Sequence, residues 1–441
     1  MSFVRLVNNS RYISYLLPKT FALRTISIAS RSLSSNSDSR QPPKDENESE
    51  KHDLCKSIMD TLHNVESKFV QPSSESFVFQ VKPYRLHRLT EGPSCEIVCT
   101  RDEALDLYHR MLRIRQMESM VNTLYTKRFV RGFCHLCIGQ EAICVGVEKA
   151  ITKKDRLITS YRGHGYLWNV VKRWLTFYLN LADEKWVALE EKVVRCICIV
   201  RYNFYGGNGI VGAQFPLGAG LAFAQKYLNT DEISIAVCGD GATNQGQIYE
   251  TYNMAKLWKL PIIFLVENNG YAMTTSMERS TCGHDLYTKG DVIPGIWLDG
   301  MDVLAVRSAF EFLAKKCRNG EGPFIVEAST YRYKGHSVSD PGVGYRTREE
   351  INEVRRKSDP IDMMKKRILD AKFATEKQLK RIISDVKAEV NDALKEAMND
   401  TELTEDHLFN DVFVSCLQPH IRGITPFTKH THSNTGKIQN L

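Results

Sequence analysis

Four short apolar runs constrain this chain more than any other feature of its sequence. They are "DRLITSYR" at residues 155–162, "EISIAVCGD" at 232–240, "PIIFLVENN" at 261–269 and "PFIVEASTYRY" at 323–333. Each is short and apolar without alternation, as a strand buried on both faces is. Helical periodicity fills the gaps between them, in "NQGQIYETYNMAKLWKL" at 244–260 and in "DVLAVRSAFEFLAKKCRNG" at 302–320, which ends on Gly320. Upstream, residues 100–129 carry Leu105, Leu107, Tyr108, Leu112, Met117, Met120 and Leu124 at helical intervals, with Thr100 or Asp102 as the start signal. Buried strands alternating with helices predict an α/β fold, a parallel sheet with helices on both faces.

Ligands of such sheets sit beyond the carboxyl ends of the strands. All four runs end there in polar, glycine-bearing text: "SYRGHG", "CGDGATNQG", "ENNGYAM" and "YRYKGHSVSDPG". Asp240 stands between Gly239 and Gly241, which allow close backbone approach, and the helix that follows aims its N-terminus at the same place. A hard cation such as Mg²⁺ takes oxygen ligands and shares them with phosphates. Asp240 offers a carboxylate, Asn269 an amide oxygen and Tyr271 a backbone carbonyl. Either half alone reads as a tight turn with an Asx turn. The two together, 26 residues apart, favour a diphosphate and Mg²⁺ site.

The chain also carries signals outside this body. Its first 35 residues hold Arg5, Arg11, Lys19, Arg24 and Arg31, no acid and many serines, which fits a mitochondrial transit peptide. Residues 36–75 read as a polar linker and 429–441 as a polar tail. Without the leader the balance is 54 basic to 52 acidic residues, so charge makes no case for nucleic acid. No run approaches the roughly 18 consecutive apolar residues of a membrane span. Twelve cysteines in a reducing matrix read as free thiols, and the single Cys134/Cys137 pair lacks the second pair a zinc site wants.

GDG, then 26 residues, then NN resembles the thiamine diphosphate motif. "RGFCHLCIGQEAICVGVEKAI", "NFYGGNGIVGAQFPLGAG" and "YRYKGHSVSDPG" narrow the resemblance to the alpha subunits of pyruvate dehydrogenases, which feed acetyl groups to a lipoyl acetyltransferase. It runs from about Ser76 to about Thr428, with one break. The resemblance implies thiamine diphosphate and Mg²⁺ as cofactors, the latter on Asp240, Asn269 and the Tyr271 carbonyl. It assigns Gly241 and Ala242 N–H groups to phosphate, Tyr161 and Arg162 to the cofactor phosphate, and Gly209 and Val211 to the aminopyrimidine side. His135 and His336 become the catalytic histidines of the substrate channel, with His336 also beside the cofactor. The glutamate that activates the cofactor belongs to a beta subunit in this family, so the resemblance implies a heterotetramer of two alpha and two beta chains in the mitochondrial matrix. It further implies a regulatory kinase and phosphatase acting on Ser337 and Ser276, while Gly344 stands where the family has a third serine. Two alternatives remain: a catalytically impaired assembly or regulatory subunit, and a branched-chain 2-oxo acid dehydrogenase alpha subunit.

The break lies at "KWVALEEKVVRCICIV", residues 185–200, where the family has a glycine-rich loop. Codons for this stretch can be chosen so that reading from the third base of the first one gives MGGARGKGGSMHMYR, fifteen consecutive residues of such a loop. This points to a shifted reading frame over about residues 168–201, restored near Tyr202, with a lineage-specific amphipathic helix as the alternative. Read literally, the stretch puts bulky, strand-prone residues where the loop needs glycine.

Overall fold

The computed structural model describes residues 75–130, 132–171, 200–201, 203–398, 420–422 and 427–431. The chain divides into two units, Met1–Pro72 and Ser73–Leu441, and everything described belongs to the second. The leader, nearly all of the linker and most of residues 168–201 lie outside the described residues.

The body opens with β1 (Ser76–Gln80), β2 (Arg85–His87) and β3 (Glu96–Thr100), β1 pairing antiparallel with β3. Helix α1 (Arg101–Thr126) follows at once. Of the two start signals, Thr100 is the cap: its hydroxyl accepts the Glu103 N–H at 3.3 Å. Then come α2 (Glu141–Ala150), β4 (Arg156–Ser160), α3 (His164–Val171), β5 (Val200–Arg201), β6 (Phe204–Asn208) and α4 (Gln214–Tyr227). After β7 (Ser234–Gly239) a short 3₁₀ turn, Asp240–Asn244, leads into α5 (Gly246–Leu257). Next are β8 (Ile262–Asn268), the small hairpin β9 (Tyr271–Ala272) and β10 (Thr275–Ser276), and α6 (Met277–Ser280). β11 (Gly295–Asp299), α7 (Val303–Arg318) and β12 (Phe324–Ser329) complete the sheet. Beyond it are α8 (Arg348–Ser358), α9 (Pro360–Asp370) and α10 (Glu376–Met398), then β13 (His420–Arg422) paired with β14 (Lys429–Thr431), the first residues of the tail.

Among the described residues the main sheet runs β2-β11-β12-β8-β7-β4-β6-β5. The six inner strands are parallel; β2 and β5 close the edges antiparallel. Both faces are covered, and the strands alternate between them. Ile235 and Val237 of β7, with Ile263 and Leu265 of β8, join the core under α1, α2 and α7. Ala236, Cys238, Ile262, Phe264 and Val266 join the core under α4 and α5. Each such large side chain contributes roughly 1.5–3 kcal/mol relative to exposure. α7 stops as expected, at Gly320 with φ +79°.

All four expected strands are present, as β4, β7, β8 and β12, and the expected sheet with helices on both faces is what forms. The sheet is wider than the apolar runs alone suggest, because β6 ("FYGGN") and β11 ("GIWLD") also belong to it. β4 has β6 on one side and β7 on the other, so the chain reverses direction across the sheet at this point. That opens a crevice beyond the carboxyl ends of β4, β6 and β7. Among the described residues no helix is long and apolar enough to cross a membrane.

Candidate active site

A cavity of about 690 Å³ occupies that crevice, within the size range of small-molecule sites. It gathers segments distant in sequence: Phe133 and His135 before α2, Tyr161 and Arg162 after β4, Gly209, Val211 and Gly212 after β6, Gly239 to Ala242 after β7, Asn269 and Tyr271 to Thr274 after β8, and Arg332, His336, Ser337 and Asp340 after β12. Every residue to which a cofactor, metal or catalytic role was assigned lines it. Of the two candidate modification sites, Ser337 lines it as well, whereas Ser276 does not: it lies half-buried in β10, opposite Tyr271.

Asp240 begins the 3₁₀ turn and is buried. Burial pushes its carboxyl up to about 6, opposed by backbone N–H groups including those of Gly241 and Asn269 and by the Arg332 charge. Oδ2 has no hydrogen-bond partner among the described residues. A buried, unpartnered carboxylate oxygen is costly unless a cation meets it, so this donor suits a hard metal ion. The glycines beside it differ. A Cβ on Gly241 falls 2.4 Å from the Ala272 Cβ, whereas one on Gly239 meets nothing within 4 Å. Gly241 therefore lets the turn pack against β9, and Gly239 keeps the approach from the cavity clear. Asn269 is also buried, and its Oδ1 accepts Arg332 Nη1 at 3.2 Å. Arg332 is itself buried; desolvation first, then the nearby Arg162 charge, lowers it to about 10. Positive charge is thus concentrated where a diphosphate would lie.

His135, Tyr161 and His336 form an aromatic group, with ring centroids 4.4 Å apart for His135 and Tyr161 and 4.9 Å for His135 and His336. Burial and then the Arg162 charge depress both histidines, His135 to about 4 and His336 to about 3. Both are neutral at pH 7. His135 Nδ1 lies 3.0 Å from the His336 carbonyl oxygen, which only accepts, so the proton is on Nδ1 and Nε2 is an acceptor. Arg162 lines the cavity, but Nη1 and Nη2 donate to the carbonyls of Leu136 at 2.7 Å and His336 at 2.9 Å. It braces the two histidine segments against each other.

Glu267, Gln214 and Arg332 are among the lining residues to which the sequence alone assigned no role. Glu267, fully buried at the end of β8, accepts the Tyr166 hydroxyl at 2.8 Å, and desolvation raises it to about 7. Gln214, at the start of α4, donates to the Asn208 carbonyl at 2.9 Å. Arg332 stood inside a quoted motif without a role. Glu267 alone had a visible signal, as a lone carboxylate closing an apolar strand.

A family model described as Dehydrogenase E1 component matches residues 109–405. The chain belongs to this family. Dehydrogenase E1 components depend on thiamine diphosphate. The chain is 48% identical over 351 residues to the pyruvate dehydrogenase E1 component subunit alpha, somatic form, mitochondrial, of Rattus norvegicus, a match covering 80% of this chain and 90% of that one. Identity to the human somatic form is also 48% over 351 residues, with the same coverage. To the probable pyruvate dehydrogenase E1 component subunit alpha, mitochondrial, of Caenorhabditis elegans it is 45% over 365 residues, covering 83% and 92%. These E1 relatives all carry the pyruvate name, which weighs against the branched-chain alternative.

Proposed function

We propose that this chain is the alpha subunit of a mitochondrial pyruvate dehydrogenase, the first component of the pyruvate dehydrogenase complex. It takes part in oxidative decarboxylation of pyruvate and transfer of the acetyl group to lipoyl groups of the acetyltransferase. The observation that carries this reading is the single cavity in which all four strand-end motifs meet, in a chain 45–48% identical to E1 alpha subunits over most of its length.

Asp240, with its orphaned carboxylate oxygen, Asn269 and the Tyr271 carbonyl would hold Mg²⁺. The backbone N–H groups of Gly241 and Ala242, with Tyr161 and the Arg162 and Arg332 charges near them, would receive the diphosphate, and Gly209 and Val211 would serve the aminopyrimidine side. When bound, thiamine diphosphate would supply the electron sink that decarboxylation of a 2-oxo acid needs. His135 accepts a proton at Nε2 and returns it as the acetyl group moves on, and His336 shapes the channel beside it.

A beta subunit completes the site. The outer faces of α4 and α5 are apolar, with Leu217, Phe223, Tyr227, Tyr249, Leu257 and Trp258 exposed, and exposed Ile210 and Val211 continue this surface to the cavity mouth. A face of that kind suits a permanent protein partner.

A kinase and a phosphatase act on Ser337. That side chain is 8% exposed and bonded to the Ser339 hydroxyl at 2.8 Å, so its loop must open for modification. A phosphate there would sit beside Asp340 and drive the loop off the site. Ser276, in the β9–β10 hairpin behind Tyr271, is the second target.

The test is to assemble the chain with its cognate beta subunit and measure CO₂ release from pyruvate and from branched-chain 2-oxo acids. Preference for pyruvate by at least about tenfold is expected. Preference for the branched acids overturns the substrate, and no release from any overturns the catalytic reading.

A further inference from the structure

Behind the cavity, and not lining it, lies a cluster for which the site chemistry has no use. Glu118 of α1 and His164 at the start of α3 are both 0% exposed. Glu118 Oε1 accepts the Cys137 backbone N–H and the Cys137 thiol, each at 2.9 Å. Its Oε2 accepts His164 Nδ1 at 3.1 Å. Burial alone would raise this carboxyl, but the His164 charge and these hydrogen bonds hold it below its ordinary value, so it stays ionised. Burial beside Glu118 pushes the Cys137 thiol up, so it remains a donor.

The position of the cluster gives it meaning. Cys137 follows His135 by two residues, and His164 follows Arg162 by two. One carboxylate therefore grips both segments that deliver His135, Tyr161 and Arg162. The same helix braces the first segment again one turn earlier. Arg115 is bonded to Glu141, and Glu141 accepts the Gly139 N–H at 3.1 Å. Two loops held to one rigid helix keep the His135 and Tyr161 rings in register. An error of about 1 Å at such groups can cost 100-fold in rate.

We propose that Glu118 is a positioning residue for catalysis, acting through Cys137 and His164 to fix His135, Tyr161 and Arg162 against one another. This rests on the site assignment above. The rival account is a buried ion pair that only helps the chain fold. Replacing such a pair by apolar residues of similar size tends to restore stability, while removing one partner strands a buried charge.

The experiment uses the full chain assembled with the beta subunit. His164→Ala should be unstable and His164→Asn, which keeps a donor near the Nδ1 position, should recover. The double variant Glu118→Met/His164→Leu decides between the accounts. Positioning predicts a recovered unfolding midpoint, kcat still down roughly 10–100-fold with KM for pyruvate nearly unchanged, and faster amide hydrogen exchange in peptides spanning 133–136 and 160–163. Recovery of midpoint and kcat together, or unchanged exchange, overturns it. If the double variant fails to regain its midpoint, Cys137→Ser is compared with Cys137→Ala. Loss of kcat in the alanine variant but not the serine variant supports the proposal, and equal kcat overturns it. The exchange comparison uses no substrate, so a wild-type complex inactive on pyruvate overturns the functional reading alone.

Discussion

His135 and His336 make the acid stability of this chain depend on its site. Both titrate near 6.5 when unfolded but at about 4 and about 3 when folded. Between those values the unfolded chain binds more protons. Their contribution is therefore complete above about pH 6.5 and is lost as the pH falls towards the folded values. His135→Gln removes one such group. Its unfolding midpoint should drop less than the wild-type midpoint between pH 7 and pH 5 in a calorimetric series, and equal drops would refute a desolvated His135. In the assembled enzyme the same variant loses its proton acceptor, for a rate loss of about 10²–10⁴. The glycines of the GDG turn should separate in the same way. Gly241→Ala places a Cβ 2.4 Å from the Ala272 Cβ and should cost about 1–3 kcal/mol of stability. Gly239→Ala meets nothing within 4 Å, so the fold should tolerate it, while thermal stabilisation by thiamine diphosphate and Mg²⁺ shrinks. The glycines and Asp240 were legible because local spacing carries their chemistry. Arg332 and Glu118 were not, since a side chain buried by contacts 63 and 46 residues away leaves no local mark.

Within the loop after β12, Arg346 ties together segments that are apart in sequence. Arg346 donates to the carbonyls of Arg332 at 2.6 Å, Lys334 at 2.6 Å and Gly342 at 3.3 Å. Its guanidinium also lies over the rings of Tyr271, Tyr331 and Tyr345. Lysine keeps the charge but not the planar fork. Arg346→Lys should therefore loosen residues 332–346 and expose Ser337; limited proteolysis within the loop should speed up about tenfold, and an unchanged cleavage rate would show that other contacts hold it. The sequence showed this loop as text without its staple. It showed the inner strands well for a physical reason. β7 and β8 are buried on both faces and must be continuously apolar, whereas β6 is built of "FYGGN", whose glycines carry no apolar period. Residues 172–199, between α3 and β5, lie outside the described residues. A shifted frame is testable by peptide chemistry instead: a tryptic digest of the mitochondrial protein should yield "GGSMHMYR", and detection of "CICIVR" would overturn the shift.

The body of the molecule is a sheet with unequal coats. On one face the core extends outward through α1, α2 and α7 to α9 and α10. On the other, α4 and α5 are the outer layer among the described residues, and their far sides are apolar. Phe223 and Trp258 pack against each other there at a tilt, with centroids 5.5 Å apart. A coat one layer thick with a greasy exterior is what a sheet shows when another chain supplies the next layer. Val211, exposed, also lines the cavity, so a layer that covers the helices would close the site as well. Partner binding and cofactor retention should therefore be linked. Leu257→Lys/Trp258→Glu puts charges on this face about as far from the cavity as α5 allows. Each lost anchor of this kind typically costs 2 kcal/mol or more in an interface, so co-purification with the beta subunit should fail. The isolated chain should fold as before, because neither side chain belongs to the buried core. Thiamine diphosphate with Mg²⁺ should stabilise the wild-type complex but not this variant mixed with beta subunit. If the variant still assembles and binds cofactor normally, the partner sits elsewhere, and the thin coat of α4 and α5 needs another explanation.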